Sequence, residues 1–368
     1  MTLESERITA ADAFQAIEYF YENNLTDGLP VVPPTADRVG QFLDRVQLEP
    51  NHVVGEVKER ARLITAEKLA INAVMAGCLP EYMPVLVAAV EAVCDPQFKF
   101  NHLASMGSPW PLFIVSGPIV NEIGMHHGMY LFGSGNRANS TIGRAMSLVL
   151  WNTAELRPDA IQRGQLGSPQ RFSACIAENP ATSWVGLNEW EGFTAEESTV
   201  TAFSGYYFCM ARTEATKPED MLAPLVNSIA RHEFSRGAFV VVIPPNFEEL
   251  FVEQGWSKER IRDHIFETCK RSVKDLKEDG RWGRLSSTFD GDLKENVAVE
   301  PGDEDDYIHL FKTTNPREDL VFHQGAINRR SDVLIVAAGG DAGLAYGILQ
   351  PYSQSTDPVT KGIQIPPG

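Results

Sequence analysis

Leu131-Phe-Gly-Ser-Gly-Asn-Arg-Ala-Asn-Ser-Thr-Ile-Gly-Arg144 lies between an apolar run, Pro111-Leu-Phe-Ile-Val115, and a helix-like segment, Ala145 to Trp151. Strand, glycine-rich loop and helix in that order predict an α/β unit. Glycines let a backbone turn sharply and approach a ligand closely. Ser140 and Thr141 are N-cap residue types, so the helix is expected to begin near them. A helix N-terminus attracts anions through free N–H groups and aligned peptide dipoles. Gly133, Gly135, Asn136, Arg137, Asn139, Thr141 and Arg144 are therefore the expected contacts for a carboxylate or phosphate. The competing reading is a tight turn whose polar side chains cap the helix. The loop lacks the Lys-Ser/Thr ending of a phosphate-binding P-loop and the third glycine of a dinucleotide fingerprint.

Working outward, residues 9–25 carry Ala13, Phe14, Ile17, Phe20 and Tyr21 at helical spacing. Asp27-Gly-Leu-Pro-Val-Val-Pro-Pro-Thr35 reads as turn, short strand, proline stop and cap for a helix from Ala36 to Val46. Ala66 to Val93 is a long apolar stretch, broken by Gly77, Pro80 and Pro84 into two buried helices. Ala238 to Ile243 is a β-branched strand that ends at Pro244-Pro245, ahead of a helix near Phe247. A further helix is expected over Ser257 to Lys274, and a final strand over Ser331 to Gly340. Residues 154–200 read as a mixed, Trp-rich surface wrap, and 275–306 as a charged, exposed excursion. The fold class is thus α/β, with mixed sheet flanked by helices. An N-terminal lobe is expected over residues 1–153 and a C-terminal lobe over 154–368, or one compact domain spanning both. Strand-to-Pro-Pro at Leu29–Thr35 and Val241–Asn246, and strand-to-glycine at Phe113–Gly117 and Leu334–Gly339, raise a pseudo-duplication as one reading and chance as the other.

The chain of 368 residues carries a net charge of −17 and a hydrophobic fraction of 43%. That balance argues against non-specific nucleic-acid binding and against docking on an anionic membrane. No apolar run has membrane-span length, and the N-terminus lacks the pattern of a signal peptide. Cys78, Cys94, Cys175, Cys209 and Cys269 are scattered without metal-ribbon spacing, which fits free thiols and a cytoplasmic location.

Cys78 sits at a helix break beside Glu81 and Tyr82. It reads as a nucleophile with Glu81 and Tyr82 in acid–base work, or as a small buried hydrophobe in a helix joint. His126 and His127, just ahead of the glycine-rich loop, are candidate general bases, because neutral imidazole works near physiological pH. Adjacent residues of an extended segment point opposite ways, so one of the two would face a given site. The structural alternative is a hydrogen-bonded histidine. A metal assembled from His102, His126, His127, His232, His309 and His323 is a further alternative, and no cofactor fingerprint is visible. The acidic cluster Glu300–Asp306 reads as a solvated loop. Trp184, Trp190, Phe203, Tyr206 and Tyr207 read as packing aromatics, with the lining of a pocket as the alternative.

Five stretches resemble a bacterial family known as UGSC-motif (seleno)proteins. They are Asp27–Thr35, Asn72-Ala-Val-Met-Ala-Gly-Cys-Leu-Pro-Glu-Tyr82, Gly133–Ala145, Gly255-Trp-Ser-Lys-Glu-Arg260 and Val333-Leu-Ile-Val-Ala-Ala-Gly-Gly340. The resemblance spans most of the chain. It implies importance for Cys78, Glu81, Asn136, Arg137, Asn139 and Arg144. The family's name comes from a Sec/Cys-Gly-Ser-Cys motif suspected of thiol redox chemistry, and this chain has no Cys-Gly-Ser-Cys. Two functions follow as expectations. One is an enzyme on a small anionic metabolite, of lyase, hydratase or hydrolase type without a redox cofactor, working as a homo-oligomer. The other is a half-site subunit that pairs with a partner bearing the missing motif, docking through residues 66–93 or the Trp-rich segment.

Overall fold

The computed structural model describes residues 2–231, 238–279, 299–305, 307–309, 333–343, 345–352 and 358–366. In chain order the elements are α1 (Ala13–Glu22), α2 (Ala36–Val46), β1 (Val53–Val57), β2 (Arg62–Thr65), α3 (Ala66–Ala76) and α4 (Met83–Cys94). Then come β3 (Trp110–Ser116), α5 (Ile119–Glu122), α6 (Arg137–Thr153), β4 (Cys175–Ala177), α7 (Leu187–Trp190) and β5 (Thr199–Arg212). They are followed by α8 (Pro218–Arg231), β6 (Phe239–Ile243), α9 (Pro245–Glu253), α10 (Lys258–Thr268), β7 (Lys270–Ser272) and α11 (Val273–Glu278). The last are β8 (Tyr307–His309), β9 (Val333–Ala337), β10 (Ala345–Pro351) and β11 (Val359–Gly362). The class is α/β with mixed sheet, as the strand–loop–helix order indicated.

The chain forms two compact units. The first comprises residues 1–206, 337–341 and 356–368, and the second 207–336 and 342–355. The first unit therefore runs past residue 153 and takes in the Trp-rich segment.

In the first unit β3 pairs in parallel with β4 and antiparallel with β5. β11 pairs antiparallel with the other edge of β5, Val359 opposite Ala202 and Gly362 opposite Thr199. Every residue of β3 is buried, as a strand covered on both faces requires. On one face Phe113 and Val115 share a core with the helix group α3, α4 and α6. Thr65 caps α3 by accepting the Lys68 N–H, and Gly77 ends it in the left-handed region at φ 88°. Pro80 and Pro84 then set the joint into α4, where the sequence placed it. Ala66, Ala70 and Ala73 of α3 have no exposed surface, which allows close helix packing. Because α3 and α4 are buried in the chain's own core, residues 66–93 do not supply a docking face.

Other expectations shift. Leu29–Val32 is extended chain rather than a strand, its Val32 N–H donating to the Met75 carbonyl of α3. Residues 154–200 do not merely wrap the surface, since β4 within them is fully buried. Phe203 is buried as expected, whereas Tyr206 and Tyr207 are exposed. In the second unit, β6 lies between β10 and β9, and Ile348 is opposite Val241. The helix expected over Ser257–Lys274 stops at Thr268. Lys270–Ser272 pairs instead with Tyr307–His309. Most of the charged excursion at 275–306 lies outside the described residues. Its described edges are the end of α11 and the turns at 301–305.

Candidate functional site

Helix α6 organises the residues singled out in the sequence. It begins at Arg137, one turn earlier than Ser140 and Thr141 suggested, because Asn136 is the cap. The Asn136 Oδ1 accepts the Asn139 N–H at 3.0 Å, and its Nδ2 donates to the Gly124 carbonyl at 2.9 Å. Asn139 is buried and grips the backbone of His126 at both ends. Its Oδ1 accepts the His126 N–H at 2.9 Å, and its Nδ2 donates to the His126 carbonyl at 2.8 Å. The carbonyl of His127 takes the Gly339 N–H at 2.8 Å. Asn136 and Asn139 thus hold the loop, and their side-chain amides are committed to it.

The loop borders an open cavity of about 310 Å³ lined by His126, Met129–Leu131, Gly133–Asn136 and Asn139. Gly135 adopts φ 118°, which a side chain would strain. A Cβ on Gly133 would lie 2.0 Å from the Tyr130 ring, so the bare backbone there is what seats Tyr130. A carbonyl only accepts hydrogen bonds, so the contact between His126 Nε2 and the Met129 carbonyl fixes the proton on Nε2. In the neutral imidazole Nδ1 then carries the lone pair. At the helix start the cap satisfies the Asn139 N–H, and the N–H groups of Arg137 and Ala138 have no acceptor among the described residues. His127 is half-buried, and burial followed by the neighbouring His126 pushes its pKa down.

The remaining expected contacts lie on another face of α6. Arg137, Thr141 and Arg144 follow the helical repeat and do not line this cavity. Arg137 Nε donates to the Gly77 carbonyl at 3.0 Å, and the side chain is otherwise exposed. The Thr141 hydroxyl donates to the Arg137 carbonyl at 2.7 Å. Cys78 is buried, and its thiol donates to the Thr141 carbonyl at 3.2 Å. Burial pushes the Cys78 thiol up to about 12, against smaller opposing effects of that bond and of Arg137. It is therefore a protonated thiol near neutral pH, which an activated nucleophile is not. Glu81 is exposed and Tyr82 is buried.

Arg144 is committed elsewhere. It makes a two-pronged ion pair with Asp27, both bonds at 2.9 Å, and donates to the carbonyls of Leu29 and Pro30. Its part is to fasten the Asp27–Pro34 segment to α6, in place of the expected substrate contact. The structure thus joins His126 to Gly133, Gly135, Asn136 and Asn139, and joins Cys78 to Arg137 and Thr141, on separate faces.

Among the described residues no group of three or more His, Cys, Asp or Glu could hold a metal ion. His232 and His323 lie outside those residues, and of His309 only the backbone is described. Among the described residues no helix is long and apolar enough to cross a membrane. Sequence reasoning missed Tyr130, whose place in the wall follows only from the packing at Gly133. It also missed Glu178, a buried carboxylate that accepts from Ser116 Oγ at 2.7 Å and from the Leu187 N–H at 2.5 Å. No family model, no curated protein and no solved structure matches the chain.

Proposed function

We propose that this chain is an enzyme that binds a small carboxylate- or phosphate-bearing metabolite in the His126–Asn136 cavity. His126 would then move a proton on it. The observation that carries this reading is that a histidine with one fixed tautomer shares a cavity with the glycine loop ahead of α6. An anionic group would sit against the Gly133–Asn136 backbone ahead of the helix start, where the dipole favours negative charge. The Nδ1 lone pair of His126 would accept a proton from the substrate, with Nε2–H held by the Met129 carbonyl throughout. Proton transfer of this kind suits a lyase, hydratase or hydrolase. Cys78 would support α6 from the other face as a thiol donor, and the resemblance to the UGSC-motif family would then reflect shared architecture at Gly133–Ala145.

Calorimetric titration with inorganic phosphate and with short mono- and dicarboxylates tests the reading. Gly133→Ala, which displaces Tyr130, is expected to weaken anion binding at least tenfold. His126→Asn is expected to keep binding while turnover of any substrate found falls by 10²-fold or more. Equal anion binding by wild type and Gly133→Ala would overturn the proposal.

A second reading has an observation of its own. Met129 and Tyr130 stand 57% and 73% exposed at the rim of this cavity. Such a rim suits a half-site covered by another subunit, a second copy or a partner bearing Cys-Gly-Ser-Cys. Light scattering on wild type and on a Met129→Ser/Tyr130→Ser variant decides it. A larger particle that falls apart in the variant supports it, and a monomer that stays monomeric beside that partner removes it.

A further inference from the structure

A second and larger cavity of the first unit, about 530 Å³, opens along the middle of α6 and is lined by Arg171, Ser108, Trp151, Leu150 and Phe172 among others. It starts near Ser147, eleven residues beyond the Asn136 cap, or roughly 16 Å along the helix at 1.5 Å per residue. The wall is apolar, built from leucine, proline and aromatic side chains, apart from a few polar groups.

Two of those polar groups carry an atom without a partner among the described residues. Arg171 gives one nitrogen, Nη2, to the Leu103 carbonyl, which also accepts from Gln162 Nε2 at 3.0 Å. Its Nε is buried with no hydrogen-bond partner. Among the described residues no carboxylate pairs with it. Asp27 lines the same cavity and is already paired with Arg144 at 2.9 Å. Burial alone pushes the Arg171 pKa down, to about 10, so the group stays charged at neutral pH. The second group is Ser108, 5% exposed, whose hydroxyl is also buried without a partner. Its backbone sits at φ 55°, the left-handed region that a non-glycine residue occupies at a cost. Gly164 leaves the room for it, since a Cβ there would lie 1.7 Å from Ser108 Oγ.

A half-buried cation with no carboxylate partner among the described residues is favoured by an anion that joins it. The size and apolar wall fit a small molecule held by a few placed polar groups. The indole N–H of Trp151 is tied to the Asn24 carbonyl at 2.9 Å, which anchors its ring in the wall.

We propose that this cavity is a binding site for a small molecule with an apolar, ring- or chain-like body and one carboxylate, the carboxylate pairing with Arg171. The site is separate from the His126 cavity, and its test does not depend on that reading.

The probes are 1-naphthaleneacetate and its uncharged amide, titrated by calorimetry into the full chain. Wild type is expected to bind the acid at least tenfold more tightly than the amide. Arg171→Met should remove that preference while the melting temperature without ligand stays level or rises, because a half-buried charge with no carboxylate partner is gone. Ser147→Leu adds a side chain into the cavity from α6 without removing a described bond, and should abolish binding of both probes. Equal binding of acid and amide by wild type, or no binding of the acid, would overturn the proposal. So would an unchanged acid preference in Arg171→Met. If Arg171→Met melts too low to titrate, Arg171 is a structural residue and Ser147→Leu alone decides whether the cavity takes the probe.

Discussion

At the scale of single residues, Cys78 shows how burial redirects a side chain's chemistry. Its position at a helix break is legible in the sequence, and such positions can yield reactive thiolates. The structure surrounds it with α3, α4 and α6 and gives its proton to the Thr141 carbonyl. Reactivity follows the thiolate fraction, which is very small near pH 8 for a group raised to about 12. Iodoacetamide applied to the native protein near pH 8 should therefore leave Cys78 unmodified for hours, and label it promptly in strong denaturant. Peptide mass analysis reads the difference, and prompt native labelling would refute the picture of an inert thiol. His126 shows the converse. Its sequence neighbourhood left it equivalent to His127, and the structure separates the two by placing His126 in the cavity wall with its Nε2 on the Met129 carbonyl.

Elements carry the next set of consequences, with α6 at their centre. The ion pair between Arg144 and Asp27 is largely shielded, the two side chains being 17% and 7% exposed. Removing one partner of such a pair strands the other charge, at a cost of about 3–5 kcal/mol. Arg144→Met should lose stability on that order in urea titration, and adding Asp27→Asn should recover part of the loss. If Arg144 were a ligand contact instead, the single variant would keep its stability. The sequence named Asp27 and Arg144 within separate motifs 117 residues apart and offered no signal that they meet. Long elements with a strong pattern were legible, including α3, α4, β3, β6 and β9. β5 was not recognised, although it has 14 residues and carries the sheet of the first unit. Its buried half, Thr199–Gly205, mixes threonines and serine with Val200, Ala202 and Phe203, so the alternation that marks a half-exposed strand is absent. β4 escaped because three residues hold too little pattern to read. In the site, the glycines were legible as a loop, but the split of Arg137 and Thr141 from Asn139 depends on the helix starting at Arg137. A start at Ser140 leaves Arg137 and Asn139 together in the loop.

For the whole molecule, the thiols set an alkaline limit on stability. Burial raises Cys78 and Cys94 to about 12, with Glu59 and Glu56 adding to the effect at Cys94, and raises Cys175 and Cys269 further. In the unfolded chain such thiols ionise near 8.5. The sign follows from linkage. The folded state holds these protons more tightly, so the stability they contribute is complete below the unfolded value and is lost as pH rises towards the folded one. Each thiol lowers stability by about 1.4 kcal/mol per pH unit across that window. Cys78→Ala removes one such group and leaves the rest. At neutral pH the variant should be less stable than wild type, because it leaves a cavity in the core. Between about pH 9 and pH 11 that deficit should shrink by roughly 2 kcal/mol. Urea titrations of both proteins at pH 7, 9, 10 and 11 measure the difference directly, and other titrating groups cancel because both proteins share them. Parallel stability curves across that range would show that the Cys78 thiol ionises alike in the folded and unfolded chain, and would remove the argument that its proton is held by the core.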